Sequence, residues 1–202
     1  MGAFVFSNGF YSMRTTKLII FFSLLAFSLT SFEKKEEEKI AWRSDTRLDW
    51  KDFKGKPNKA SRNAAMTDSG YGFETGDVVK DSMKFTVVNY FYPKSSWVKL
   101  DIATSGLLAH EQCHFDITEI FTRKYRKQLL SSELNRTTLK STLEKLFNNN
   151  QEQWKNFQTK YDNETEHSKN EQKQKEWEKK VRKELNELEL FADTEIKIFI
   201  RH

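Results

Sequence analysis

Leu107-Leu108-Ala109-His110-Glu111-Gln112-Cys113-His114-Phe115-Asp116-Ile117 is the stretch on which the reading of this chain turns. The chain has four histidines, and two of them fall here four residues apart with a glutamate directly after the first. This is the H-E-x-x-H arrangement of helical zinc sites. Residues four apart on a helix lie about 40° from one another around the axis, with Cβ atoms roughly 6 Å apart, so two imidazoles can reach one ion. Glu111 projects one step round and cannot easily join them on the metal. It stands instead where it can take a proton from an activated water.

The flanks predict a helix. Ala103, Leu107, His110, His114, Ile117 and Phe121 follow steps of four and three, one continuous stripe of helical period. Thr104 or Ser105 can cap its start, and Arg123, Lys124, Arg126 and Lys127 crowd the far end, where cations complement the helix dipole. Both histidines therefore face the interior. The bland alternative is a pair of core histidines bonded to backbone, which is costly for two adjacent imidazoles without a shared partner. Cys113 reads as a small buried filler, with a ligand role as its alternative.

Upstream, five of the seven glycines and both prolines lie between residues 55 and 106, which marks turns and strands. Residues 84–92, KFTVVNYFY, form the best strand, closed by Pro93, and residues 97–102 a weaker one. If the first of these is an exposed edge, it could align an extended peptide by strand addition. Trp50, Asp52, Phe53, Gly55 and Pro57 read as a structural corner of aromatics with a fixed turn. Downstream of Gly106 there is neither glycine nor proline. That half predicts three or four helices, over about 104–131, 136–150 or longer, 151–175 and 176–199, with Asn148-Asn149-Asn150 as a candidate break. Trp177, Val181, Leu185 and Leu188 lie at helical spacing in a Lys/Glu-rich surface helix. The fold class is α+β: a small N-terminal sheet, the H-E-x-x-H helix, then a mostly helical C-terminal part.

A catalytic zinc needs a third protein ligand and an open position. Glu119 is about 180° round the helix from His110 and Asp116 about 120°, so both are turned away and serve better as ion-pair or outer hydrogen-bond partners. The candidate segment is Tyr161-Asp162-Asn163-Glu164-Thr165-Glu166-His167. His167 is the favoured third ligand, Glu164 the alternative, and Tyr161 a candidate hydrogen-bond donor to an oxyanion.

The whole chain has 202 residues, 31% of them charged, with a net charge of +5. Its lysines are interleaved with glutamates, without the compact basic patch that nucleic-acid binding requires, so no nucleic-acid partner is expected. Arg14 and Lys17 precede an apolar run over residues 18–29 that is short for a membrane span, so residues 1–31 read as a signal peptide. An uncleaved N-terminal anchor is the alternative. Residues 32–39 read as a charged linker and 40–202 as one domain, secreted or periplasmic. A single cysteine permits no internal disulfide.

Three stretches resemble a bacterial family, domain of unknown function 922, described as secreted zinc-dependent proteases. They are Leu48-Asp49-Trp50-Lys51-Asp52-Phe53-Lys54-Gly55-Lys56-Pro57; Ala109-His110-Glu111-Gln112-Cys113-His114-Phe115-Asp116-Ile117 with Glu119; and Tyr161-Asp162 with Glu164-Thr165 and His167. Where that family tends to have glycine after the late histidine, this chain has Ser168. The resemblance implies a zincin-like metallopeptidase fold and a cell-envelope or secreted setting. The expectation is an exported metallopeptidase with zinc held by His110, His114 and His167, Glu111 as general base, and a peptide or protein as substrate. A zinc hydrolase of another envelope amide and a non-catalytic interaction protein are the rivals.

Overall fold

The structure is a computed structural model that describes residues 37–201 and the two-residue strand β1 (Gly2–Ala3). The signal-peptide reading and most of the linker lie outside the described residues. The described residues form an α+β fold, with a mixed sheet and three α-helices among them.

β4 (Ser69–Val79) and β5 (Ser82–Phe91) form a long antiparallel hairpin. β5 is the predicted strand, but it is not an edge. β4 pairs along one side of it, while the other side takes β8 (Glu195–Arg201) and then β2 (Ile40–Ala41). An extended ligand cannot add to β5, and that expectation is corrected. β1 pairs with β4 at one end of the sheet, and β7 (Leu134–Asn135) runs parallel to β8 at the other. Outside this sheet, β3 (Ala65–Met66) pairs with β6 (Trp97–Val98), so only the start of the second predicted strand is a strand. A 3-10 turn over Leu100–Ile102 takes the rest.

The sheet's inner face carries Tyr71, Phe73, Phe85, Val87, Ile196, Ile198 and Ile200. They meet Ile117, Ile120, Tyr125 and Leu129 of α1 (Ser105–Ser131), which starts at the predicted position with Thr104 capping the Leu107 amide. Two further helices, α2 (Leu139–Thr165) and α3 (Glu171–Glu187), also pack on α1. The central helix is thus buried between layers, which explains why charged residues along it need partners.

Two expectations for the C-terminal half are corrected. α2 runs through the three asparagines: buried Asn150 donates to the Tyr71 hydroxyl and the Phe121 carbonyl, so it ties helix to core instead of breaking the helix. The predicted helix over 176–199 stops at Glu187, and the chain returns to the sheet as β8. Ile196, Ile198 and Ile200 alternate with exposed residues, the two-residue period of a half-buried strand. The basic end of α1 is corrected as well. Arg123 and Arg126 are buried, 3% and 1% exposed, around the carboxylate of Glu119.

The corner read at Trp50–Pro57 is present. Asp49 caps a 3-10 turn over Trp50–Asp52, and the Phe53 ring lies edge-on to Trp50 and Phe91. Gly55 approaches the chain at residues 94–96 so closely that a Cβ there would meet the Ser96 carbonyl at 2.7 Å. Only glycine fits.

Candidate metal centre

His110 and His114 project from one face of α1 toward the last turns of α2. There Gln158 and Asp162, also four residues apart, present a matching pair. Nε2 of His110 and Nε2 of His114 lie 3.1 Å apart. Oδ1 of Asp162 lies 3.2 Å from the first and 3.0 Å from the second. The three atoms form a nearly equilateral triangle. Donors bonded tetrahedrally to zinc at 2.0–2.1 Å are about 3.3 Å apart, so the triangle is close to one face of such a site.

The proton positions make this triangle informative. Gln174 of α3 donates its amide N–H to the Glu178 carboxylate, which can only accept. Its carbonyl oxygen therefore faces His110 Nδ1 at 3.1 Å, and Nδ1 must carry the proton. Gln158 donates its amide to the His114 backbone carbonyl, which leaves its oxygen 2.6 Å from His114 Nδ1 and fixes the same tautomer there. With Nδ1 protonated, each neutral imidazole presents an Nε2 lone pair. Two lone pairs and a carboxylate oxygen thus face one another at 3.0–3.2 Å. Three acceptors this close repel unless positive charge sits among them.

The electrostatics agree. Burial pushes the Asp162 carboxyl up, but the two imidazoles of His110 and His114 against it more than offset this and hold the carboxyl well below its usual range. Burial lowers His114, yet its hydrogen bond to Asp162 and the charge of Glu111 outweigh this and raise it.

Glu111 is 3% exposed, and its Oε2 has no hydrogen-bond partner among the described residues. A buried, unpaired carboxylate oxygen is costly, and Glu111 is among the residues that line a cavity of about 490 Å³. The cavity is also lined by residues 63–69, Leu107, both imidazoles, Trp154, Asp162 and His167. Residues 63–69 are anchored to α1 by Thr67, whose hydroxyl donates to the Glu111 carbonyl.

The expected site residues separate into two groups. His110, Glu111 and His114 converge with the cavity. His167 reaches it too, but its Nδ1 lies 3.5 Å from Asp162 Oδ1 and its side chain is half exposed. The three donor atoms that lie close together belong to His110, His114 and Asp162, not His167. Tyr161 is fully buried and stacks under the His110 ring at 4.6 Å. Its hydroxyl is engaged by the Gln174 oxygen and the His110 carbonyl, so it forms the floor of the site rather than a donor facing the cavity. Glu164 accepts from the Trp177 indole on the α3 side of α2, away from the imidazoles. Asp116 accepts from Trp42 and Gln112. Cys113 is a buried filler.

Sequence reasoning missed Asp162, Gln158 and Gln174. The first was visible: a carboxylate serves zinc as readily as an imidazole, and Asp162 stands one turn after Gln158 on one face. The glutamines carry no motif, and only the tertiary contact identifies them.

The turn after α2 is unusual. Glu166, His167 and Ser168 have φ of 51°, 52° and 75°, three left-handed residues in succession without a glycine. Ser168 occupies the position where the resembling family tends to have glycine, and its positive φ supplies the physical reason for that preference.

Residues 89–168 match a family model described as "Bacterial protein of unknown function (DUF922)". The matched segment contains His110, Glu111, His114, Asp162 and His167. The match supports the domain family read from the sequence. No curated protein and no solved structure matches the chain.

Proposed function

We propose that this chain is an exported zinc-dependent hydrolase of peptide bonds, with a zincin-like arrangement in which His110, His114 and Asp162 hold the metal. The observation that carries the reading is the triangle of three acceptor atoms whose tautomers are fixed from behind by Gln174 and Gln158. The unpaired Glu111 oxygen beside it supports the same chemistry.

A bound zinc ion supplies a Lewis acid that acidifies a water and polarises the scissile carbonyl. The chain's own residues do the rest. Glu111 takes the proton as the water oxygen bonds to the carbonyl carbon, then returns it to the amine nitrogen as the C–N bond breaks. Tyr161, Gln158 and Gln174 hold the two imidazoles in one tautomer and orientation. The cavity has the volume of a small-ligand pocket, and the run over residues 63–69 gives it a wall along which an extended peptide can lie.

The test is a pair of variants. The Glu111→Gln protein is expected to bind about one zinc and to hydrolyse denatured protein at least ~100-fold more slowly than the parent. The His114→Ala protein is expected to lose the metal. Undiminished hydrolysis by Glu111→Gln contradicts the mechanism. A zinc-loaded parent that cleaves peptidoglycan amides and leaves polypeptide intact moves the reading to the other envelope substrate.

A further inference from the structure

His167 sits five residues after Asp162, and a continued helix would turn it about 140° away from that carboxylate. The chain does otherwise. After Thr165 the backbone enters the left-handed region for three residues, and the imidazole comes back to 3.5 Å from Asp162 Oδ1, at the rim of the cavity. The turn is pinned at both ends. His167 N–H donates to the Asp162 carbonyl, Asn170 N–H donates to the Thr165 carbonyl, and the Asn170 side chain caps α3. Non-glycine residues in this conformation are strained, and such strain persists where the surrounding structure imposes it, often at functional sites.

This imposed position does not suit a metal ligand. The imidazole is outside the close group of donor atoms, yet it lines the same cavity as all three of them and Glu111. Its contact to Asp162 is longer than a normal hydrogen bond, so its ring N–H is not held there. A neutral imidazole always carries one N–H, and His167 lines the cavity that a scissile carbonyl would enter. Tyr161, the other donor considered for that place, is buried with its hydroxyl already engaged.

We propose that His167 is a catalytic residue that touches substrate, donating an imidazole hydrogen bond to the oxygen anion that develops as the scissile carbonyl becomes tetrahedral. The inference rests on the zinc-hydrolase reading above. In this step the water oxygen bonds to the carbonyl carbon, the C=O π pair moves onto the carbonyl oxygen, and the water proton goes to Glu111. His167 supplies only the hydrogen bond.

The experiment measures binding on the full chain loaded with zinc, by titration calorimetry. Its probes are inorganic phosphate and a blocked alanine tetrapeptide with a phosphinate in place of the central amide. Both carry a tetrahedral oxyanion, and phosphate demands no peptide recognition. The His167→Ala protein is expected to load one zinc with nearly the parent's affinity and to bind these probes about 10- to 100-fold more weakly. The His167→Asn protein, which keeps a side-chain N–H, is expected to recover part of that loss. Unchanged probe affinity in His167→Ala, or a zinc-loaded parent that binds neither probe, overturns the role. Loss of zinc in His167→Ala overturns it in favour of direct ligation. A parent that takes up no zinc overturns the hydrolase reading, and this role falls with it.

Discussion

The Asp162→Ala protein is expected to bind zinc at least ~100-fold more weakly than the parent while keeping the parent's helical circular dichroism. Loss of partners outside the ligand set already costs metal sites about 10- to 100-fold, so removal of a direct ligand sets a floor at the upper end. The reason is specific to this triangle. Asp162 Oδ1 supplies its one negative charge and its third corner, and His167 is not placed among the close donor atoms to replace it. Thermal unfolding offers a second readout. Zinc at about a thousand times its Kd stabilises the folded state by about 4 kcal/mol. At ~2–4 °C per kcal/mol for a domain of this size, the parent's Tm is expected to rise by about 8–16 °C. At a 100-fold higher Kd the same zinc contributes only about 1.4 kcal/mol, so the variant's Tm is expected to rise by no more than about 3–6 °C. A comparable rise in the variant rules Asp162 out as a ligand.

The Arg126→Met protein is expected to lose about 3–5 kcal/mol of stability, read as a lower urea midpoint with an unchanged slope. Arg126 is 1% exposed and spends its donors on three elements. Nε and Nη2 both donate to the Val87 carbonyl of β5, and Nη1 donates to Glu119 and to the carbonyls of Phe191 and Ala192. Those last two carbonyls belong to the segment that leads into β8. One guanidinium therefore joins the central helix, the central strand and the returning C-terminal strand. Methionine fills much of the same volume, so the loss measures unpaired polar groups rather than a cavity: the Glu119 carboxylate keeps only Arg123, and the carbonyls lose their donors. A shift of less than ~1 kcal/mol contradicts the clamp.

What was legible in the sequence follows from locality. The α1 helix, its Thr104 cap and the shared face of His110 and His114 depend on spacing within one element, and they are present. The β5 strand was legible from its β-branched and aromatic run, but its place at the centre of the sheet was not, because strand order is a property of distant pairings. β8 was hidden for another reason. Absence of glycine and proline was read as helix, although Glu195-Ile196-Lys197-Ile198-Phe199-Ile200-Arg201 alternates with the period of a strand. At the site, imidazoles were preferred as ligands by residue type. Asp162 joins the two Nε2 atoms because helix geometry sets it one turn beyond Gln158, while the turn of three left-handed residues leaves His167 at the cavity rim, outside that close group.

X-ray absorption at the zinc edge of the zinc-loaded full chain tests the central claim most directly, since it counts and identifies the atoms around the ion. The account predicts two imidazole nitrogens and one or two oxygens at about 2.0–2.1 Å. A shell of three imidazoles, a sulfur from Cys113, or a protein that retains no zinc contradicts it.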